Sequence, residues 1–143
     1  MAIISAICNS FRTELGLALH DFTTTTGNVF KCALYTSAAS LNKSTTVYSA
    51  ANEISGTGYT AGGEIVTSVT PVLVTDISVF DFNDLIYSAL TVTGIRGAVI
   101  YNATNGNRAV LVLNFGTDQS PVAQDFRITF PSATATTAIL RTK

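Results

Sequence analysis

Charge is what this sequence has least of. Asp, Glu, Lys and Arg make up 12% of its 143 residues, about half the roughly 25% usual in globular domains. The formal net charge is -1. Neutralising a run of phosphates takes clustered cations, and the eight Lys and Arg are scattered, so no nucleic-acid partner is expected. Trp is absent and His20 is the only histidine. With one candidate base, nucleophilic catalysis has little to draw on, and no enzymatic activity is expected. Cys8 and Cys32 are the only cysteines and lack metal or redox spacing; both are read as buried free thiols. No stretch approaches 18 consecutive apolar residues, so no membrane partner is expected. Met1-Ala2-Ile3-Ile4 lacks the basic start and apolar run of a signal peptide, which leads us to expect synthesis and folding in a cytoplasm. The Asn102-Ala103-Thr104 sequon then has no weight as a glycosylation site.

Hydrophobic residues, at 47%, are sufficient for a core. Solubility must come from hydroxyls, as in Thr23–Thr26, Ser44-Thr45-Thr46 and Ser132–Thr137, and Thr also favours strands. Few charges and near-zero net charge leave little repulsion between copies, so self-association is expected. The length fits one domain, 1–143, with an N-terminal helix in 1–22 and a β-sandwich in 28–143.

Apolar residues Ile4, Ile7, Phe11, Leu15, Ala18, Leu19 and Phe22 recur at three- and four-residue steps and predict an amphipathic helix over Ile3–His20. Arg12 and His20 fall on its polar face, His20 as a solvated cation near the helix C-terminus. From Val29 the period becomes two: Phe30, Cys32 and Leu34 are assigned to the core. Ala38–Gly63 lacks periodicity and, at about 25 residues, is long for a connection, which predicts a functional or partner-ordered loop. Strands are expected at Glu64–Thr70, Val72–Thr75 and Ile77–Phe82, with Pro71 marking an edge or break. Gly97–Tyr101 and Arg108–Phe115 form a predicted hairpin across Asn105-Gly106. After a loop at Gly116–Gln124, Phe126, Ile128 and Phe130 alternate with polar neighbours, and Ile139-Leu140 suggests a last short strand. One helix before seven or so strands predicts a mainly β fold, an antiparallel β-sandwich or jelly-roll-like barrel.

Candidate chemistry is sparse. Asp76, Asp81 and Asp84 lie close together without calcium-loop spacing, and no metal or cofactor is expected. Gly56-Thr57-Gly58-Tyr59-Thr60-Ala61-Gly62-Gly63 has glycines but neither the Lys-Ser/Thr ending nor the following helix of a phosphate loop. Those glycines are read as permitting positive φ and close backbone approach, where a neighbouring chain packs.

Two stretches, Phe30–Thr67 (FKCALYTSAASLNKSTTVYSAANEISGTGYTAGGEIVT) and Gly97–Gly116 (GAVIYNATNGNRAVLVLNFG), resemble a family of small tailed-bacteriophage virion proteins. The counterparts of its motifs are His20-Asp21-Phe22, Ala33–Ser37, Ser55–Gly63 and Ile100–Val110; Ile86-Tyr87 stands where the family often has Trp. The resemblance implies a structural virion protein without catalytic residues. A capsid decoration or cement protein is the leading expectation, a homo-oligomer contacting other virion proteins, above all the major capsid protein. A tail, neck or fibre-base component is the alternative, and a glycan-binding module using Tyr48, Tyr59 and Tyr87 is the alternative of another class. The expected partner interface comprises Arg12, Tyr48, Ser55, Gly56, Thr57, Gly58, Tyr59, Thr60, Gly62 and Gly63, with Gly56–Gly63 dispensable for folding.

Overall fold

A computed structural model describes residues 2–131 and 140–142. The fold is mainly β, a sandwich of antiparallel sheets with one short helix. In chain order the elements are β1 (Ala6–Ile7), α1 (Asn9–Gly16), β2 (Phe30–Tyr35), β3 (Glu64–Val66), β4 (Ser68–Val74), β5 (Ile77–Phe82), β6 (Leu85–Leu90), β7 (Ile95–Asn102), β8 (Arg108–Gln119), β9 (Gln124–Ile128) and β10 (Leu140–Thr142). They form a five-stranded sheet in the order β1-β8-β7-β2-β3, a three-stranded sheet β10-β5-β4 and a two-stranded sheet β6-β9.

The hairpin β7–β8 is the backbone of the large sheet. Its register pairs Ala98 with Leu113 and Val99 with Val112, and residues Gly97–Asn102 and Ala109–Val112 are all buried. At the turn, Gly106 and Asn107 take positive φ (68° and 54°), as a tight reversal between twisted strands requires. Strand β2 lies beside β7, pairing Cys32 with Ile100 and Leu34 with Ala98. Phe30, Cys32 and Leu34 are core, as expected, but Ala33 and Tyr35 are equally buried: a central strand covered on both faces has no solvent side.

The expected helix is cut to its middle. Ala6 and Ile7 pair with Val112 and Leu111 as a sheet edge, and Ala18 at φ 59° stops the helix after Gly16. A two-turn helix is marginal by itself, and partners on β8 outcompete it for Ala6 and Ile7. The apolar stripe therefore divides: Phe11 and Phe22 are buried, whereas Ile4 is 57% exposed and Ala18 is exposed too.

β3 runs almost directly into β4, so this segment leaves one sheet and joins another at Thr67. Asn83 at the β5–β6 turn donates its amide to the Thr67 carbonyl, holding the crossing point. Pro71 sits in β4, an edge strand, where the register shifts between Val69 and Val72; proline is tolerated there because no ladder amide is needed outward. Strand β8 reaches Gln119, so the loop expected at Gly116–Gln124 shrinks to the residues before β9. Strand β6 went unpredicted, and Ile139 and Ser132–Thr137 lie outside the described residues. Phe22 joins the layers: its ring stacks on Phe30 at 4.5 Å and meets Phe80, Phe82 and Phe11 edge-on at 5.1, 5.9 and 5.9 Å. Among the described residues no helix is long and apolar enough to cross a membrane.

Candidate functional site

His20 is the only histidine of the chain, and the structure corrects its placement. It is buried, not solvated: its side chain has no exposed surface, and it packs against Phe11 at a centroid distance of 4.9 Å. His20 Nε2 lies 3.0 Å from Glu14 Oε1, and Arg108 donates from the other side to Glu14 Oε2 at 2.8 Å. Asn102, fully buried, decides the tautomer. Its Oδ1 accepts the amides of Thr104 and Asn105, so its Nδ2 faces the ring, 3.1 Å from His20 Nδ1. Nδ1 must then accept, and the Nε2 proton is donated to Glu14. Both ring nitrogens are committed, which is the arrangement of a structural lock. The lock ties α1 and residues 19–28 to the β7–β8 turn, since Asn102 and Asn105 also donate to the Leu19 carbonyl. The expectation of a polar face holding His20 overlooked Glu14, buried three residues from Phe11 on the same side of α1.

The long connection is held by bonds within the chain. Glu53 is its hub: Tyr48 and Tyr59 donate their hydroxyls to its carboxylate at 2.7 and 2.5 Å, and the Gly62 amide adds a third bond at 2.7 Å. Pairing of β2 with β3 ends at Cys32, which leaves Leu34, paired with Ala98 of β7 on one side, without a strand partner on the other. The loop supplies one: the Tyr59 hydroxyl accepts the Leu34 amide and the Ile54 amide donates to the Leu34 carbonyl. Tyr48 stacks on Tyr101 at 4.7 Å, and Tyr101 donates to the Gly62 carbonyl at 2.6 Å. Tyr87, buried, donates its hydroxyl to the Cys32 carbonyl. The hydroxyls of all three aromatics assigned to a glycan are thus already bonded inside the domain.

The glycines do take positive φ, at 153°, 86°, 94° and 83° for Gly56, Gly58, Gly62 and Gly63. The chain's own backbone approaches three of them closely. A Cβ on Gly63 would stand 1.9 Å from the Cys32 carbonyl oxygen, one on Gly56 2.4 Å from that of Thr91, and one on Gly58 2.8 Å from that of Ala89. Removing Gly56–Gly63 would take away the Tyr59 bonds to Leu34 and Glu53 and the Gly62 bonds to Glu53 and Tyr101, which argues against the expectation that the segment is dispensable for folding.

The ten residues expected at an interface fall into three groups. Ser55, Gly56, Thr57, Gly58 and Thr60 are exposed on one rigid loop over β6; Gly62 and Gly63 are buried and Tyr48 and Tyr59 half-buried beneath it. Arg12 is exposed and belongs to a different feature, a cleft of about 230 Å³ between α1 and strands β5 and β10, lined by Ile7, Phe11, Leu15, Phe80, Leu140 and Arg141. Sequence patterning missed the largest apolar exposures: Leu73 is 71% and Val122 70% exposed, with Leu17, Ile65 and Ile4 above half.

The remaining ionisable groups are dispersed. Asp84 caps the Phe130 amide at 3.0 Å, Asp81 caps that of Phe82 at 2.8 Å, and Asp76 is exposed beside the β4–β5 turn. Burial raises Asp81 above the usual carboxylate range. Among the described residues no three His, Cys, Asp or Glu converge as metal ligands. Cys8 and Cys32 are free and buried, and burial pushes their thiols up from 9.0 to about 11 and about 12. A thiol so protonated at neutral pH is a poor nucleophile. Comparison with protein-family models, with curated proteins and with solved structures returns no match for the chain.

Proposed function

We propose that this chain is a structural protein of a tailed-bacteriophage virion, specifically a decoration or cement protein that binds the assembled capsid through oligomeric contacts. One observation carries the reading. The buried polar side chains of both clusters are tied to one another, while large apolar side chains stand exposed on several faces of a charge-poor domain. Such a surface recommends association over chemistry, because exposed apolar area beyond scattered single residues marks contact sites. The likeness of Phe30–Thr67 and Gly97–Gly116 to small virion proteins supplies the kind of assembly.

A ligand that binds only the assembled shell stabilises it by mass action, through its binding free energy. The rigid loop Ser55–Thr60 suits this work, since its conformation is fixed before contact and little ordering entropy is lost on docking. Substituting Thr57 and Thr60, both exposed, tests the loop without touching its buried base. The double change Thr57→Glu with Thr60→Glu should leave a folded protein that no longer enters particles. Wild-type incorporation of this variant would remove the loop from the contact, and absence of the native protein from purified particles would overturn the virion reading itself.

A further inference from the structure

The Arg12 cleft is apolar at its floor and cationic at its rim. Phe11, Phe80 and Leu140 are buried there, Ile7 and Leu15 half-buried, and no carboxylate lines it. Arg12 makes no ion pair or side-chain hydrogen bond among the described residues. At about 230 Å³ the cleft falls below the roughly 300–1,000 Å³ of small-molecule sites. It suits a single inserted side chain, the geometry of an interface anchor beside a charge.

The same chain carries a fitting counterpart. Leu73, 71% exposed, is the most exposed large apolar side chain described, and it stands on edge strand β4 beside Val72, 51% exposed. In the two-residue turn that links Val74 to Ile77 stands Asp76, exposed and without an ion pair among the described residues. β4 itself carries no charge to guard it: the Thr24 side chain covers its Ser68–Thr70 half, bonding the Ser68 carbonyl and the Thr70 amide, and Val72-Leu73-Val74 lies beyond that cover. Unguarded apolar edges are contact sites or aggregation sites.

We propose that the occupant of the cleft is a second copy of this chain: Leu73 of one copy enters between α1 and β5/β10 of the next, and Asp76 pairs with Arg12. Knob and cleft are different patches, so the contact either repeats head-to-tail into a ring or an open chain or, where both pairs form at once across a two-fold axis, closes a dimer. This rests on the assembly reading above and gives its self-association a specific seat.

The test is charge reversal on the full-length chain, read by sedimentation equilibrium and light scattering with circular dichroism as the folding control. Arg12→Glu and Asp76→Arg should each weaken self-association tenfold or more, and Leu73→Ser should do the same. All three positions are exposed, so the fold should be unchanged. The double variant Arg12→Glu with Asp76→Arg should restore association to near wild type. A wild-type chain that stays monomeric, single variants that associate normally, or a double variant no better than the worse single would each overturn the contact. The outcomes separate the two ideas: a monomer that still enters particles sinks this contact alone, whereas reciprocal rescue in a protein absent from particles sinks the virion reading alone.

Discussion

Replacing Gly63 by Ala probes how the long connection is built into the core. Two costs combine. Gly63 has φ +83°, and a left-handed backbone costs an L-residue about 1–2 kcal/mol. The added Cβ would also lie 1.9 Å from the Cys32 carbonyl oxygen and 2.8 Å from the Ala33 Cα, both on the backbone of central strand β2. Backbone cannot rotate away as a side chain can, so residues 62–64 must withdraw, straining the Cys32–Glu64 pair and the Tyr101–Gly62 bond. Overpacking of this kind costs about 1–3 kcal/mol, for a total of about 2–5 kcal/mol. At about 4 °C per kcal/mol for a domain of this size, the thermal midpoint should fall by roughly 8–20 °C. Gly116 supplies the control, having φ +84° with no atom within 4 Å of a built Cβ. Gly116→Ala should therefore show only the conformational cost, about 1–2 kcal/mol. Calorimetry or urea unfolding of both variants decides the matter. Equal losses at the two positions would refute the claim that the loop is seated against β2.

Three further outcomes follow from the same geometry. His20→Phe leaves Glu14 Oε1 facing a ring without a donor, while Arg108 still pairs Oε2 and Asn102 Nδ2 keeps the Leu19 and Asn28 oxygens; since a hydrogen bond to a charged group contributes about 1.5–3 kcal/mol, we expect a loss of about 1.5–3 kcal/mol in urea unfolding, with a surface-like loss under 0.5 kcal/mol contradicting the lock. In the wild type, nitrogen NMR should find His20 protonated on Nε2 and bare on Nδ1, and the opposite tautomer would invalidate the assignment through Asn102. Burial raises the thiols of Cys8 and Cys32 to about 11 and about 12 and the hydroxyl of Tyr101 to about 12, so the unfolded chain releases these protons first. Stability is then intact below pH 9 and falls above it, by about 1.4 kcal/mol per pH unit for each thiol until its folded value is reached. A thiol reagent at pH 8 should label neither cysteine before unfolding, and a flat stability profile from pH 8 to 11 would count against their burial.

The strands were legible where hydrophobic alternation and turn chemistry agree. Asn105-Gly106 between two apolar runs located β7–β8, and Pro71 marked an edge because only an edge strand can spare its amide. The helix misled because spacing alone cannot show that Ala6 and Ile7 have a better partner in β8, nor that Ile4 faces solvent. The long connection lacks periodicity because its order comes from single long-range bonds: one carboxylate, Glu53, gathers Tyr48, Tyr59 and Gly62, and no local pattern encodes that. The glycines signalled close approach correctly, but sequence cannot say whose backbone approaches. The cleft was invisible for the same reason, since Arg12 meets Phe80 and Leu140 from distant strands. Of the residues expected at an interface, those at the tip of the loop are exposed, while the exposure of Leu73 was not legible because its neighbours in β4 read as an ordinary strand.

The central claim is that this domain works by taking its place in a virion shell. A cryo-EM reconstruction of the intact particle tests it most directly. The account predicts the sandwich at symmetry-related positions over the whole capsid, with Ser55–Thr60 at the shell and Leu73 seated in the Arg12 cleft of an adjacent copy. A particle without the domain would contradict the claim outright, and a single ring of copies at the tail would contradict the decoration role.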